Sequence, residues 1–201
     1  MTRICFLRHG PTEWNELGRI QGHTDIPLSA AGLVKMQALR PPDPFGPPHK
    51  VRVFASPLAR ARQTVEALGL AAPKLDARLM EQNWGRWEGL SRAEIIAQDG
   101  ADCFAAAGLK GAFTPPGGES THALTGRVAE FLKDVAMTDG DAVAITHLGV
   151  LRAAYTLATG WDMATPMPEG LDVSKALILE LTGDGTPAIA ALNQDLKPRT
   201  A

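Results

Sequence analysis

The chain has 201 residues, 45% of them apolar, with 20 basic against 22 acidic side chains and a formal net charge of −2. That size suits one domain over residues 1–201 with one sizeable core. Charge this balanced, with no basic stripe or tail, points away from a nucleic-acid partner.

Met1 to Leu7 is too short an apolar run for a signal peptide and meets Arg8 at once. No stretch nears the ~20 apolar residues of a spanning helix. A cytoplasmic protein with no membrane partner is therefore expected. Two cysteines, Cys5 and Cys103, make neither a disulfide framework nor a zinc ligand set. They are expected to pack as small apolar side chains in a reducing compartment.

Arg3 to Leu7 reads as a short buried strand, followed by a polar loop from His9 to Pro27. Ser29 caps a helix through Leu33, Met36 and Leu39. Arg40 to Lys50 holds five prolines and a glycine, which predicts a loop. Val51 to Ala55 is strand-like, and Ser56-Pro57 offers a cap and a first-turn proline for a helix to Leu68. Ser91 to Glu94 forms a capping box for a short helix. Gly100 to Gly118, rich in Gly, Ala and Pro, carries only a weak helical pattern. Glu119 to Ala136 is an amphipathic helix with Val128, Phe131, Leu132 and Val135 on one face. Ala142 to Thr146 is a buried strand and Gly149 to Thr159 a helix. Val173 to Leu181 and Pro187 to Leu192 read as two closing strands. The alternation predicts an α/β fold, a three-layer α/β/α sandwich around a mostly parallel sheet.

In such sheets ligands bind at the carboxyl ends of the strands. Arg8-His9 ends the first predicted strand, Ser56 to Arg60 follows the second, and His147 follows the strand from Ala142. A histidine taken alone is more often structural, but here two histidines and two arginines share one edge of the sheet. Gly10 lets the backbone turn sharply and a ligand approach, and Asn15 can donate an amide hydrogen bond. Arg60 falls in the first turn of its helix, where backbone N–H groups attract anions. Guanidinium forks match phosphate oxygens. So much positive charge calls for an anion, and a phosphoryl group is the natural occupant.

Leu7-Arg8-His9-Gly10-Pro11-Thr12-Glu13-Trp14-Asn15 resembles the signature of the histidine phosphatase superfamily, in the branch that includes cofactor-dependent phosphoglycerate mutases. Further segments resemble that family's motifs in the same order. They are Arg19 to Ser29, Ser56 to Thr64, Asp76 to Glu81 with Gly85-Arg86-Trp87-Glu88-Gly89, Pro116-Gly117-Gly118-Glu119-Ser120, and Thr146-His147-Leu148-Gly149. The likeness runs from Arg3 to about Arg152. It implies that His9 is a nucleophile that becomes phosphorylated, and that Arg8, Arg60 and His147 bind the phosphoryl oxygens. It further implies that Glu81 is the general acid, and that Asn15, Gln21, Gly22 and Leu148 contact the phosphate or substrate. No metal and no cofactor are implied.

General chemistry agrees with these roles. A neutral imidazole is a competent nucleophile, fixed cations stabilise the equatorial oxygens, and a leaving alkoxide needs a proton. The family commonly has two glycines after the second histidine, whereas this chain has Leu148-Gly149.

The expected function is thus a metal-independent phosphomonoesterase acting on a small phosphorylated metabolite. Alternatives are a cofactor-dependent phosphoglycerate mutase and an inert phospho-ligand binding module. The short span from Gly89 to Pro115, with only Arg92 and Lys110 as cations, favours hydrolysis over mutase transfer. A metallohydrolase built on His9, Glu13, His23 and His147 lacks any HExxH-like or Asp-rich spacing. A homodimer is compatible with the sequence. Arg62 is expected at the surface or behind the residues that contact the phosphate, His23 and His122 in solvated loops, and His49 without a role. Trp14, Trp84 and Trp87 are expected in the core or a pocket wall, and Glu88 is set aside as the acid in favour of Glu81.

Overall fold

Alternation along the first strand, β1 (Thr2–Arg8), sets the layers: Ile4 and Phe6 face one core, Cys5 and Leu7 the other. A strand that is apolar on both faces belongs inside a sheet covered by helices on each side. The computed structural model, which describes residues 2–47, 49–108, 113–163, 168 and 170–199, has this architecture. After β1 come α1 (Glu13–Glu16), α2 (Ala30–Gln37), β2 (Leu39–Arg40), β3 (Arg52–Ala55), α3 (Ala59–Ala67) and β4 (Lys74–Leu75). Then follow α4 (Arg92–Asp99), α5 (Thr121–Ala136), β5 (Ala142–Thr146), α6 (Leu148–Thr159), β6 (Ala176–Leu181), β7 (Pro187–Gln194) and β8 (Lys197–Pro198).

The six-stranded sheet has the order β4-β3-β5-β1-β6-β7. Its first four strands run parallel, and β6 and β7 add antiparallel to β1. One core packs the sheet against α5 and α6 through Val128, Phe131, Leu132 and Leu151. The other packs it against α2 and α3 through Met36, Ala61 and Val65. A smaller cluster of Trp87, Ile95 and Phe113, flanked by Trp84 and Phe104, belongs to the segment between β4 and α5. No helix among the described residues is long and apolar enough to cross a membrane.

The expected caps at Ser29 and Ser91 are present, the second as a complete capping box. The expectation at Ser56 fails. Helix α3 begins three residues later, and Asp25 Oδ1 accepts from the Ala59 N–H at 2.6 Å, so its cap comes from a distant loop. Helix α2 ends at Gln37 because Leu39 and Arg40 pair with Pro198 and Lys197 instead. In the weakly patterned Gly100 to Gly118 stretch, Ala101–Gly108 is a 3₁₀ helix, and residues 109–112, Lys110 included, lie outside the described residues.

Candidate active site

The β1–β5 ladder continues one residue beyond β1, where the His9 N–H donates to the Thr146 carbonyl at 2.9 Å. His9 is thereby fixed at the carboxyl edge of the sheet. Its Nδ1 lies 2.7 Å from the Gly10 carbonyl. A carbonyl only accepts, so Nδ1 carries the proton and Nε2 keeps its lone pair. Burial, with Arg60 and then Arg8 adding repulsion, pushes the His9 pKa down to about 3, so the ring is neutral. The turn after it is tied to α3, since the Gly10 N–H donates to Thr64 Oγ1, which donates to the Arg60 carbonyl. A Cβ on Gly10 would collide with Met36, which is why glycine stands there.

Arg60 is fully buried. Its Nη1 and Nη2 donate to the carbonyls of Thr24 and Gly22, both at 2.8 Å, and its Nε donates to His147 Nδ1 at 3.3 Å. The loop offering those carbonyls is folded around Glu88. That carboxylate accepts from the backbone N–H groups of His23, Thr24 and Trp84 and from Thr24 Oγ1. Gly22 sits at φ +51°, and a Cβ there would run into the same carboxylate. Glu88 is thus fully engaged in shaping a loop.

Thr12 and Asn15 form a capping box on α1 that occupies Asn15 Oδ1 and leaves the amide Nδ2 to donate elsewhere. Gln21, also buried, accepts from Thr12 Oγ1 at 3.0 Å. His147, fully buried at the N-cap of α6, has its pKa held well below the ordinary histidine value by burial and by the neighbouring His9, Arg60 and Arg8. Its ring centroid lies 5.1 Å from that of His9. Two buried donors at this edge, Arg8 Nε and His147 Nε2, meet no protein acceptor. Such orphans are rare and cost roughly 1–3 kcal/mol each. An anion rich in acceptor oxygens would satisfy both.

Glu81 lies against the start of α6. Its Oε1 accepts from the N–H groups of Gly149 and Gln82, both at 2.9 Å, and Oε2 has no protein donor among the described residues. A Cβ on Gly149 would collide with that Oε1. The departure from two glycines therefore falls at the position that tolerates it, because Leu148 opens α6 while Gly149 makes room for the carboxylate. The fold thus brings Arg8, His9, Asn15, Gln21, Gly22, Arg60, Glu81, His147 and Leu148 to one edge.

His23 is not a solvated loop residue: it is half-buried, with Nε2 donating to the Glu81 carbonyl at 2.8 Å. His122 and Arg62 are exposed, and His49 is half-exposed, 3.9 Å from Asp43. Trp84 and Trp87 stack on each other within the small aromatic cluster. Among the described residues no group of three or more His, Cys, Asp and Glu could hold a metal ion, so His9, Glu13, His23 and His147 do not form one. A cleft of about 500 Å³ runs from Arg8, His9 and Asn15 to Lys35, Ser174 and Lys175. Sequence reading missed Thr64, the loop-shaping role of Glu88, and the grip of Arg127 on the Glu81 segment. All three act across long stretches of chain and leave no local pattern.

Residues 4–195 match the family described as the histidine phosphatase superfamily (branch 1). The chain is 28% identical over 187 residues to phosphoserine phosphatase 1 of Hydrogenobacter thermophilus, covering 90% of this chain and 87% of that one. It is 33% identical over 168 residues to the metal-independent phosphoserine phosphatase of Arabidopsis thaliana, covering 79% and 69%. Its structure resembles that of YhfR of Bacillus stearothermophilus, with a TM-score of 0.80, 26% identity and 98% of each chain covered.

Proposed function

Because the chain belongs to the histidine phosphatase superfamily, we propose that it is a metal-independent phosphomonoesterase that works through a phosphohistidine at His9. The observation that carries this reading is the pair of orphaned buried donors, Arg8 Nε and His147 Nε2, beside a neutral imidazole. A phosphate monoester places its equatorial oxygens against Arg8, the remaining N–H groups of Arg60, Asn15 Nδ2 and His147 Nε2–H. Gln21, Gly22 and the Leu148 N–H complete the cradle.

His9 Nε2 then attacks phosphorus while the bond to the leaving oxygen breaks. The phosphorylated ring is cationic, and Nδ1–H···O=C to Gly10 stabilises that charge. Fixed cations offset the charge on the equatorial oxygens. Glu81 gives its proton to the leaving oxygen, then takes one from the water that attacks phosphohistidine. Inorganic phosphate leaves, and His9 returns neutral.

Metal independence has support from the name of the Arabidopsis relative. The cleft beside His9 has room for a small metabolite, and Lys35 in its wall can meet an acid on the leaving group, whereas Lys175 is paired with Asp195 at 3.1 Å. Phosphoserine, which both relatives' names specify, is the first substrate to try. A cytoplasmic setting agrees with two free cysteines.

The test is rapid quench with substrate. It should trap an acid-labile, alkali-stable protein adduct that His9→Ala lacks. That variant should lose activity by on the order of a thousandfold, and chelator should change nothing. An undiminished rate in His9→Ala would overturn the reading.

A further inference from the structure

Glu81 is held at both ends. Its carboxylate is fixed on α6, and its peptide carbonyl accepts from His23 on one side and Arg127 on the other. Arg127, on α5, grips Glu119 through two side-by-side bonds, Nε to Oε1 at 2.7 Å and Nη2 to Oε2 at 2.9 Å. It also donates to the carbonyls of Arg78 at 2.6 Å and Glu81 at 3.0 Å. Glu119 in turn accepts from the Asn83 N–H through its carboxylate and from Gln82 Nε2 through its carbonyl, and its own N–H donates to the Asn83 carbonyl. The two side chains are only 18% and 17% exposed. Glu81, Gln82 and Asn83 therefore hang on one largely buried ion pair anchored to a 16-residue helix.

We infer that the Glu119–Arg127 pair positions Glu81 for proton transfer. This rests on the reading of Glu81 as the general acid. Neither residue touches the reacting atoms, so both are positioning residues. The physical reason is geometric. The Glu81 side chain runs between its own fixed carbonyl and a fixed donor, the Gly149 N–H, which holds Oε1 at 2.9 Å. Without Arg127 the carbonyl is held from the His23 side alone and the segment can shift, and a displacement of about 1 Å at a catalytic group can cost up to a hundredfold. A bidentate guanidinium–carboxylate pair resists such motion better than a point contact. A lysine at 127 keeps the charge but cannot hold Glu119 at two points while also reaching two carbonyls.

The experiment compares Arg127→Lys and Glu119→Gln with the parent on phosphoserine, or the best alkyl monoester found, and on p-nitrophenyl phosphate, whose leaving group needs little protonation. The alkyl ester should lose about tenfold in kcat, p-nitrophenyl phosphate should stay within about twofold, and KM should hold for both. In a Glu81→Gln background Arg127→Lys should add no further loss on the alkyl ester. Equal losses on the two substrates, no loss, or full additivity with Glu81→Gln would overturn the inference. Glu119→Asp, which keeps both charges, carries the test if Glu119→Gln does not fold. Glu81→Gln itself separates the two readings. If it slows both substrates equally, the acid assignment fails. If it is selective while Arg127→Lys is not, only the positioning role fails.

Discussion

Arg60 Nε donates to His147 Nδ1 at 3.3 Å, and this contact assigns the histidine tautomer. Neutral His147 must carry its proton on Nε2, the buried atom without a protein acceptor. The same arginine fixes the loop carbonyls of Gly22 and Thr24, so one side chain both shapes the cradle and aims a donor into it. Arg60→Lys should therefore be far from conservative. It should lower kcat/KM by about a hundredfold or more and weaken vanadate inhibition in parallel. Nitrogen NMR of His147 should show protonated Nε2 in the parent and a tautomer mixture in the variant. An unchanged tautomer with parental activity would refute the assignment.

Glu81→Gln should slow alkyl phosphates by on the order of a hundredfold and p-nitrophenyl phosphate much less, because a proton donor matters most for a basic leaving oxygen. Gly149→Ala should reproduce part of that selectivity without touching the carboxyl, since the added Cβ displaces Oε1. Leu148→Gly should leave the ratio of the two rates within about twofold. A selective loss in Glu88→Gln alone would move the acid to Glu88.

Acid should destabilise the fold through His9 and His147. Both are buried with pKa values depressed below the unfolded value near 6.5, His9 to about 3. The unfolded chain binds protons there that the folded chain does not. Stability from these groups is fully present above pH ~6.5 and falls as pH drops below it, by up to about 1.4 kcal/mol per pH unit for each. Urea unfolding between pH 8 and 5 should show this slope. His9→Asn and His147→Asn should each remove roughly one proton's share. A flat profile from pH 7 to 5 in the parent would contradict the burial of neutral rings.

Supplied with 3-phosphoglycerate and a trace of the 2,3-bisphosphate, the enzyme should release mainly free phosphate. A mutase must exclude water through many cycles and hold a bisphosphorylated intermediate with additional cations. Of the two cations in the Gly89 to Pro115 span, Arg92 has its guanidinium over the Phe104 ring at 4.1 Å. Rapid isomerisation with almost no phosphate release would replace hydrolysis with the mutase reading.

Much of the fold was legible in the sequence because its signals are local. Apolar runs such as Ile4-Cys5-Phe6-Leu7 and Ala142 to Ile145 mark strands buried on both faces, and the Ser29 and Ser91 caps act within three residues. Two-residue strands such as β2, β4 and β8 carry no periodicity and exist only because a neighbour pairs with them. The α3 cap failed for a related reason, since Asp25 stands 34 residues from the Ala59 N–H it accepts from.

The sequence by itself determined which chemistry-bearing residues exist and, through strand ends, that Arg8, His9, Arg60 and His147 share one edge. The tertiary structure decided what each can do there. The Gly10 carbonyl sets which nitrogen of His9 is free, Arg60 sets which nitrogen of His147 is protonated, and Gly149 sets where Glu81 rests. It also turned Glu88 and His23 from bystanders into parts of the frame. The physical reason is that proton positions, donor directions and burial depend on hydrogen-bond partners brought from tens of residues away, and no local pattern encodes such partners.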